Sequence, residues 1–157
     1  MAIRNVVLEG DPVLTKKCRP VEVFDAKLAQ LIDDMIETMH LKKGAGLAAP
    51  QVGILKRVVV IQVEPDGEIF ELVNPEIIES FGVQESVEGC LSCPGEFGVT
   101  RRPMKVKVKA QDRFGNEHFY EGEALLAKAF CHELDHLDGI LFKTHVIRML
   151  DEDELEG

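Results

Sequence analysis

Near the end of the chain two histidines stand four residues apart, with a glutamate directly after the first: Cys131-His132-Glu133-Leu134-Asp135-His136. On a helix, positions i and i+4 point the same way, about 5–6 Å apart between Cβ atoms. The two imidazoles can therefore share one metal ion. Glu133 is one step round the helix, where it can reach a water on that ion and act as a base. The plainer alternative is an acidic helix that happens to carry two imidazoles. The histidines fall on the apolar face, however, and a buried ring nitrogen without a partner costs free energy.

The third donor is not in the same helix. Some H-E-x-x-H sites continue as H-x-x-G-x-x-H, and His136-Leu137-Asp138-Gly139 begins that way, but Phe142 stands where the third histidine would be. His145 lies beyond an apolar stretch. The soft donors upstream are Cys90 and Cys93. Both together with the histidines would make a closed structural Cys2His2 zinc site. That site spans a far longer gap than the roughly 12–15 residues of small zinc fingers and leaves Glu133 without a task. One thiolate, two imidazoles and a water use every group. Pro94 holds Cys93 in extended backbone. If Cys90 and Cys93 share a strand, residues three apart face opposite sides and only one can bind. A catalytic site for amide hydrolysis, a general metallopeptidase and a closed structural site remain the three readings of these residues.

These groups need elements to hold them. Residues 25–41 read as an amphipathic helix, with Leu28, Leu31, Ile32, Met35, Ile36 and Met39 on one stripe, Asp25 as N-cap and Gly44 just past the end. Val58 to Gln62 and Ile69 to Val73 read as short strands, the second closed by Asn74-Pro75. Residues 104–111 alternate, and Phe114-Gly115-Asn116 turns the chain into His118 to Glu121, an antiparallel hairpin. A second helix runs from about Glu123 to Leu137, stopped by Gly139, with Leu125, Ala129, His132 and His136 on one face. The sum is an α+β fold: short antiparallel sheets around a central helix carrying the two histidines, with a second amphipathic helix. Residues 1–157 read as one catalytic domain, and 151–157 as an acidic, frayed tail.

Charge narrows the function. The net charge of -10 argues against binding DNA through phosphates. The one basic feature, Lys105, Lys107 and Lys109, alternates with Val106 and Val108 as a solvated strand face does. There is no apolar run of about 18 residues for a membrane span, and no signal peptide is read at the N-terminus. Four cysteines, at 18, 90, 93 and 131, then suggest a reducing cytoplasm.

Three segments resemble the motifs of peptide deformylases, in that family's order. Gly44-Ala45-Gly46-Leu47-Ala48-Ala49-Pro50-Gln51 resembles G-x-G-L-A-A-x-Q, Glu88-Gly89-Cys90-Leu91-Ser92 resembles E-G-C-L-S, and His132 to His136 resembles H-E-x-x-H. The family removes the formyl group from the N-terminal methionine of new bacterial polypeptides. The resemblance implies that Cys90, His132 and His136 are the metal ligands and that Glu133 is general base, then acid. It implies that Gln51 and the backbone N–H of Leu91 form the oxyanion site. Gly46 and Gly89, with Ala45 beside them, would bind the substrate, pairing with its backbone as an added strand. The implied ion is Fe2+, one per chain, for which Zn2+, Ni2+ or Co2+ could substitute. The implied partners are N-formylated nascent peptides and, transiently, the ribosome, although an acidic tail is a poor contact for RNA. Cys131 stands where many members have Gln. It lies off the ligand face, so a packing effect is expected.

Overall fold

Four consecutive apolar residues, Val58 to Ile61, are all fully buried, because the strand they form is covered on both faces. The structure, a computed structural model, describes residues 2–151, 153 and 154. In chain order its principal elements are α1 (Ala26–Leu41), β1 (Gly46–Ala48), β2 (Val58–Ile61), β3 (Phe70–Phe81), β4 (Gln84–Cys90), β5 (Cys93–Arg102), β6 (Lys105–Gln111), β7 (Glu117–Glu123), α2 (Leu125–Leu137) and β8 (Val146–Met149). A five-stranded sheet has the order β1-β2-β3-β6-β7, and a three-stranded sheet the order β4-β5-β8. Every pairing between these strands is antiparallel, as the α+β reading expects. No described helix is long and apolar enough to cross a membrane.

Successive strand side chains point to opposite faces. Val59 and Ile61, with Leu72, Val106 and Val108, pack on Phe130, Leu134 and Leu137 of α2. Val58 and Val60, with Val73 and Leu47, pack on Leu28, Ile32, Met35 and Met39 of α1. The large sheet thus lies between the two helices, and the histidine-bearing helix is held by its far face. Leu28, Leu31, Ile32, Met35 and Met39 of the expected stripe are buried, and Ile36 is partly so. Asp25 caps α1 by accepting from Leu28 N at 3.0 Å.

Helix α1 ends as read, with Gly44 just past it: Gly44 N returns to Met39 O at 3.0 Å, and Lys43 takes the left-handed turn at φ 56°. Asn74-Pro75, by contrast, does not close its strand, since β3 runs on to Phe81. Asn74 sits at φ 52° and the register shifts between Val73 and Glu76, which is a bulge. A proline that cannot donate to the ladder is tolerated there. The Asn74 side chain replaces the lost ladder contacts: its Oδ1 accepts from Val21 N at 2.7 Å, and its Nδ2 donates to Val21 O and to Gln111 Oε1 at 3.0 and 2.8 Å.

The 105–123 hairpin forms as read, with Val106 and Val108 buried. Its lysines meet acids across the strands. Lys105 lies 3.7 Å from both Glu121 and Glu123, and Lys109 lies 3.6 Å from Glu117, so the basic stripe is neutralised by its own hairpin. Of the acidic tail, Glu154 is paired with Arg148 at 2.7 Å. Glu152 and residues 155–157 lie outside the described residues.

Asn74→Ala should cost about 2–4 kcal/mol in urea unfolding, because three hydrogen bonds go and alanine resists the left-handed backbone. A loss under about 0.5 kcal/mol would show that the bulge does not depend on this side chain.

Candidate metal centre and active site

Helix α2 is stopped so that its last turn stays in register with the site. Gly139 takes φ 75°, and a Cβ there would come within 2.6 Å of the Thr15 backbone. Only glycine meets both demands. The free carbonyl of Leu137 accepts from Cys18 N at 2.8 Å and from Arg57 at 3.0 Å.

One turn back, the donor atoms of Cys90, His132 and His136 gather, all within 4.8 Å of one another. Cys90 Sγ is 3.4 Å from His136 Nε2. His132 turns its Nδ1 to Glu88 Oε2 at 2.5 Å, which leaves Nε2 to face the cluster. Phe142, at the position that closes the histidine-rich script, is buried and stacks on the His132 ring with centroids 6.1 Å apart. His145 is no donor to the cluster, since its Nε2 lies 3.1 Å from Asp135.

Glu88 is the hub of this arrangement. Its carboxylate accepts from Arg102 at 2.8 and 3.1 Å, from the Thr100 hydroxyl at 2.8 Å and from His132. Arg102 reaches on to Asp135 of α2 at 2.7 Å. Burial works against the charged carboxylate, but the hydrogen bonds from His132 and Arg102 outweigh it and hold Glu88 down at about 2. Sequence reasoning assigned Glu88 only to a motif and did not find Arg102 at all. The nearest signal was the Glu-Gly-Cys spacing that puts Glu88 two residues before a ligand.

Cys90 and Cys93 do not share a strand. Cys90 ends β4, Cys93 begins β5, and a tight turn pairs them, so alternation along one strand is not what separates them. Cys93 instead gathers with Glu9 and Glu96, between which the Lys143 ammonium sits at 2.6 and 2.9 Å. Burial pushes its thiol up to about 12. Burial likewise raises Cys18 and Cys131 to about 11. Among the described residues the histidines have one sulfur beside them.

The other residues singled out in the sequence surround a cavity of about 460 Å³, lined by Ala45, Gly46, Gln51, Gly89, Leu91 and Glu133 among others. The cavity lies between β1 and β4, each an edge strand of its sheet, with α2 behind. Gln51 is buried. Its Oε1 accepts from Ala48 N at 2.9 Å, which aims its Nε2 at Ser92 Oγ, 3.1 Å away, and Cys90 Sγ, 3.5 Å away. Glu133 leans on Gly46, where a Cβ would come within 2.5 Å of its Oε2. Burial, partly offset by His132, pushes Glu133 up to about 7. Burial also drives His136 down to about 3, so its ring is neutral and its lone pair is available to a metal.

One buried atom beside the cluster points to a missing ion or water. Glu133 Oε1 has no hydrogen-bond partner among the described residues, and buried polar atoms are seldom left so. One sulfur and two imidazole nitrogens form a borderline-soft set that suits a divalent transition metal, with a position left for water. The residues fit such an ion.

A family model for Polypeptide deformylase matches residues 3–152. The chain belongs to the polypeptide deformylase family. It is 57% identical to the peptide deformylase of Caldicellulosiruptor bescii over 156 residues, covering 99% of this chain and 93% of that one. It is 55% identical to that of Caldanaerobacter subterraneus, over 100% of this chain and 98% of the relative. The crystal structure of a peptide deformylase from Legionella pneumophila superposes with a TM-score of 0.88 at 44% identity, covering 98% of this chain and 89% of that one. As in the rest of this metal-dependent hydrolase family, the Cys90, His132 and His136 cluster is the metal site.

Arg102→Leu strands a buried carboxylate and should cost about 3–5 kcal/mol of stability. The acid side gives a second measure. Glu88 ionises far below its ordinary 4.5, so its contribution is whole above that pH and drains away as pH falls towards 2. In Arg102→Leu acid unfolding should begin at higher pH. An unchanged acid midpoint by circular dichroism would show that Glu88 is not held by Arg102.

Proposed function

We propose that this chain hydrolyses the formamide at the N-terminus of formyl-methionyl polypeptides, releasing formate and a free amine. The observation that carries the reading is one thiol and two imidazoles meeting beside a buried, unpartnered carboxylate, in a cavity between two open strand edges. Cys90, His132 and His136 hold the ion. Bound there, a divalent ion lowers the pKa of water from 15.7 to about 7 and polarises the carbonyl.

The chain's own groups supply the rest. Glu133 takes the proton of the attacking water and returns it to the departing amine nitrogen. A carboxyl pushed to about 7 by burial can do both near neutrality. The Gln51 side-chain amide and the Leu91 backbone N–H donate to the oxygen on which charge grows, each such donor being worth about 3–4 kcal/mol. Because the Gln51 oxygen is held by Ala48 N, its N–H2 is oriented before substrate arrives. Ala45 just before β1, Gly46 on β1 and Gly89 on β4 offer backbone to an extended peptide, which lies in the cleft as an added strand. Glycine at 46 and 89 lets the two backbones approach closely.

We assign Fe2+ as the working ion, with Zn2+, Ni2+ or Co2+ as replacements the same donors accept. The substrate class places the enzyme in the cytoplasm, meeting N-formylated nascent peptides and the ribosome only in passing. Residues 1–157 act as one catalytic unit. A closed Cys2His2 site is disfavoured because Cys93 keeps company with Glu9, Glu96 and Lys143 rather than with the histidines.

Formate release from formyl-Met-Ala-Ser should far exceed deacetylation of acetyl-Met-Ala-Ser or cleavage of an internal peptide bond. Equal rates on all three would overturn the assignment. Cys90→Ser should lose metal by elemental analysis, while Cys93→Ser keeps it. Comparable loss in both variants would favour the closed site. Glu133→Ala should keep metal and fold yet drop kcat by about 10²–10⁴, and full retained turnover would remove Glu133 from the chemistry.

A further inference from the structure

Helix α2 presents a stripe to the cavity: Leu125, Lys128, Ala129, His132 and Glu133. The spacing is that of a single helical face. His132 and Glu133 belong to the chemistry, and Leu125 and Ala129 are apolar wall. Lys128 fits neither group. It is half-buried, and its Nζ donates to the Val87 carbonyl of β4 at 2.7 Å.

What sets Lys128 apart is its lack of an acid. Arg4, Arg57, Lys105, Lys109, Arg113 and Lys143 are also half-buried, and each has a carboxylate within 4.0 Å. Lys107 lies over the Phe119 ring. Among the described half-buried cations, Lys128 alone has only a neutral carbonyl. Burial lowers its pKa, and the more distant Glu88 charge offsets this only in part. An ammonium has three donors, and one is used here.

Its place along α2 says what could meet it. Lys128 is one turn, about 5.4 Å, from the ligand His132. In a formyl peptide the first side chain leaves the backbone two bonds beyond the reacting carbon. A first side chain that follows the cavity wall one turn back along α2 would meet Leu125, Lys128 and Ala129, which line the same cavity. A thioether there packs on the lysine stem and asks for no donor. Oxidation converts the thioether to a sulfoxide, a strong acceptor, which a purely apolar wall would reject for lack of a hydrogen bond.

We propose that Lys128 admits peptides whose formylated first residue is methionine sulfoxide, its ammonium donating to the sulfoxide oxygen. The inference rests on the formamide-hydrolase reading. The reaction is the same hydrolysis: water attacks the formyl carbon, the C–N bond breaks, formate and the amine leave, and the sulfoxide is a spectator.

The test compares kcat/KM for formyl-Met-Ala-Ser and formyl-Met-sulfoxide-Ala-Ser, each sulfoxide epimer separately, on metal-loaded wild type and Lys128→Met. Wild type should take the better epimer within about tenfold of the thioether, and Lys128→Met should widen that ratio at least about fivefold. A smaller widening, or a wild-type preference for the thioether beyond about tenfold, overturns the proposal. Lys128→Arg keeps charge and donors and should hold the wild-type ratio. A second measurement needs no variant: the products Met-Ala-Ser and Met-sulfoxide-Ala-Ser should compete for wild type within about tenfold of each other. If wild type does not hydrolyse formyl-Met-Ala-Ser at all, it is the parent reading that falls.

Discussion

The carboxylate of Glu88 is the constraint on which the rest of the site depends. It lies between the Arg102 guanidinium and the His132 ring, all three buried. Glu88 is on β4 and Arg102 on β5 of the small sheet, and His132 is on α2. One charge therefore fixes both the tautomer of a ligand and the distance between the elements that carry the ligands. Buried charges are tolerated only when fully paired, so strand and helix cannot drift apart without exposing one of them. The further bond from Arg102 to Asp135 repeats the tie one helical turn on.

Two open strand edges are ordinarily a liability, because their free N–H and C=O groups invite unwanted pairing. Here β1 and β4 turn those edges towards one cavity, with α2 closing the back. The same backbone groups that would promote aggregation on a flat surface here border the cavity lined by Glu133 and the metal ligands Cys90 and His132, where the proposed reading has them pair with an extended peptide. Glycines at 46 and 89 add no side chain of their own to the cavity. The first leaves room for Glu133, and over the second stands the Phe97 ring, which a Cβ would meet at 2.5 Å.

Much of this was legible in the chain, and the misses have physical causes. Helix α1 announced itself by the spacing of its apolar residues and by Asp25, and the 105–123 hairpin by alternation around Phe114-Gly115-Asn116. His132, Glu133 and His136 follow from helical geometry alone. The full length of β3 was hidden, because Asn74-Pro75 ordinarily ends a strand and only long-range bonds to Val21 and Gln111 carry the chain through. The tight turn between Cys90 and Cys93 was hidden too, since two extended residues flanking Leu91-Ser92 can be one strand or two. Arg102 could not be found at all. Its partners are 14 and 33 residues away, and no local pattern distinguishes a buried arginine from its exposed neighbour Arg101.

The three donor atoms come from two bodies of the fold: the sulfur from the small sheet, the two nitrogens from the helix packed on the large one. An ion gripped by all three is also a clasp between those bodies. Its occupancy must then raise the resistance of the whole chain to unfolding by mass action, in proportion to the logarithm of free metal over its dissociation constant. Scarcity of the ion would thus first be felt as a looser sheet-to-helix joint, and durability and catalysis would draw on one supply.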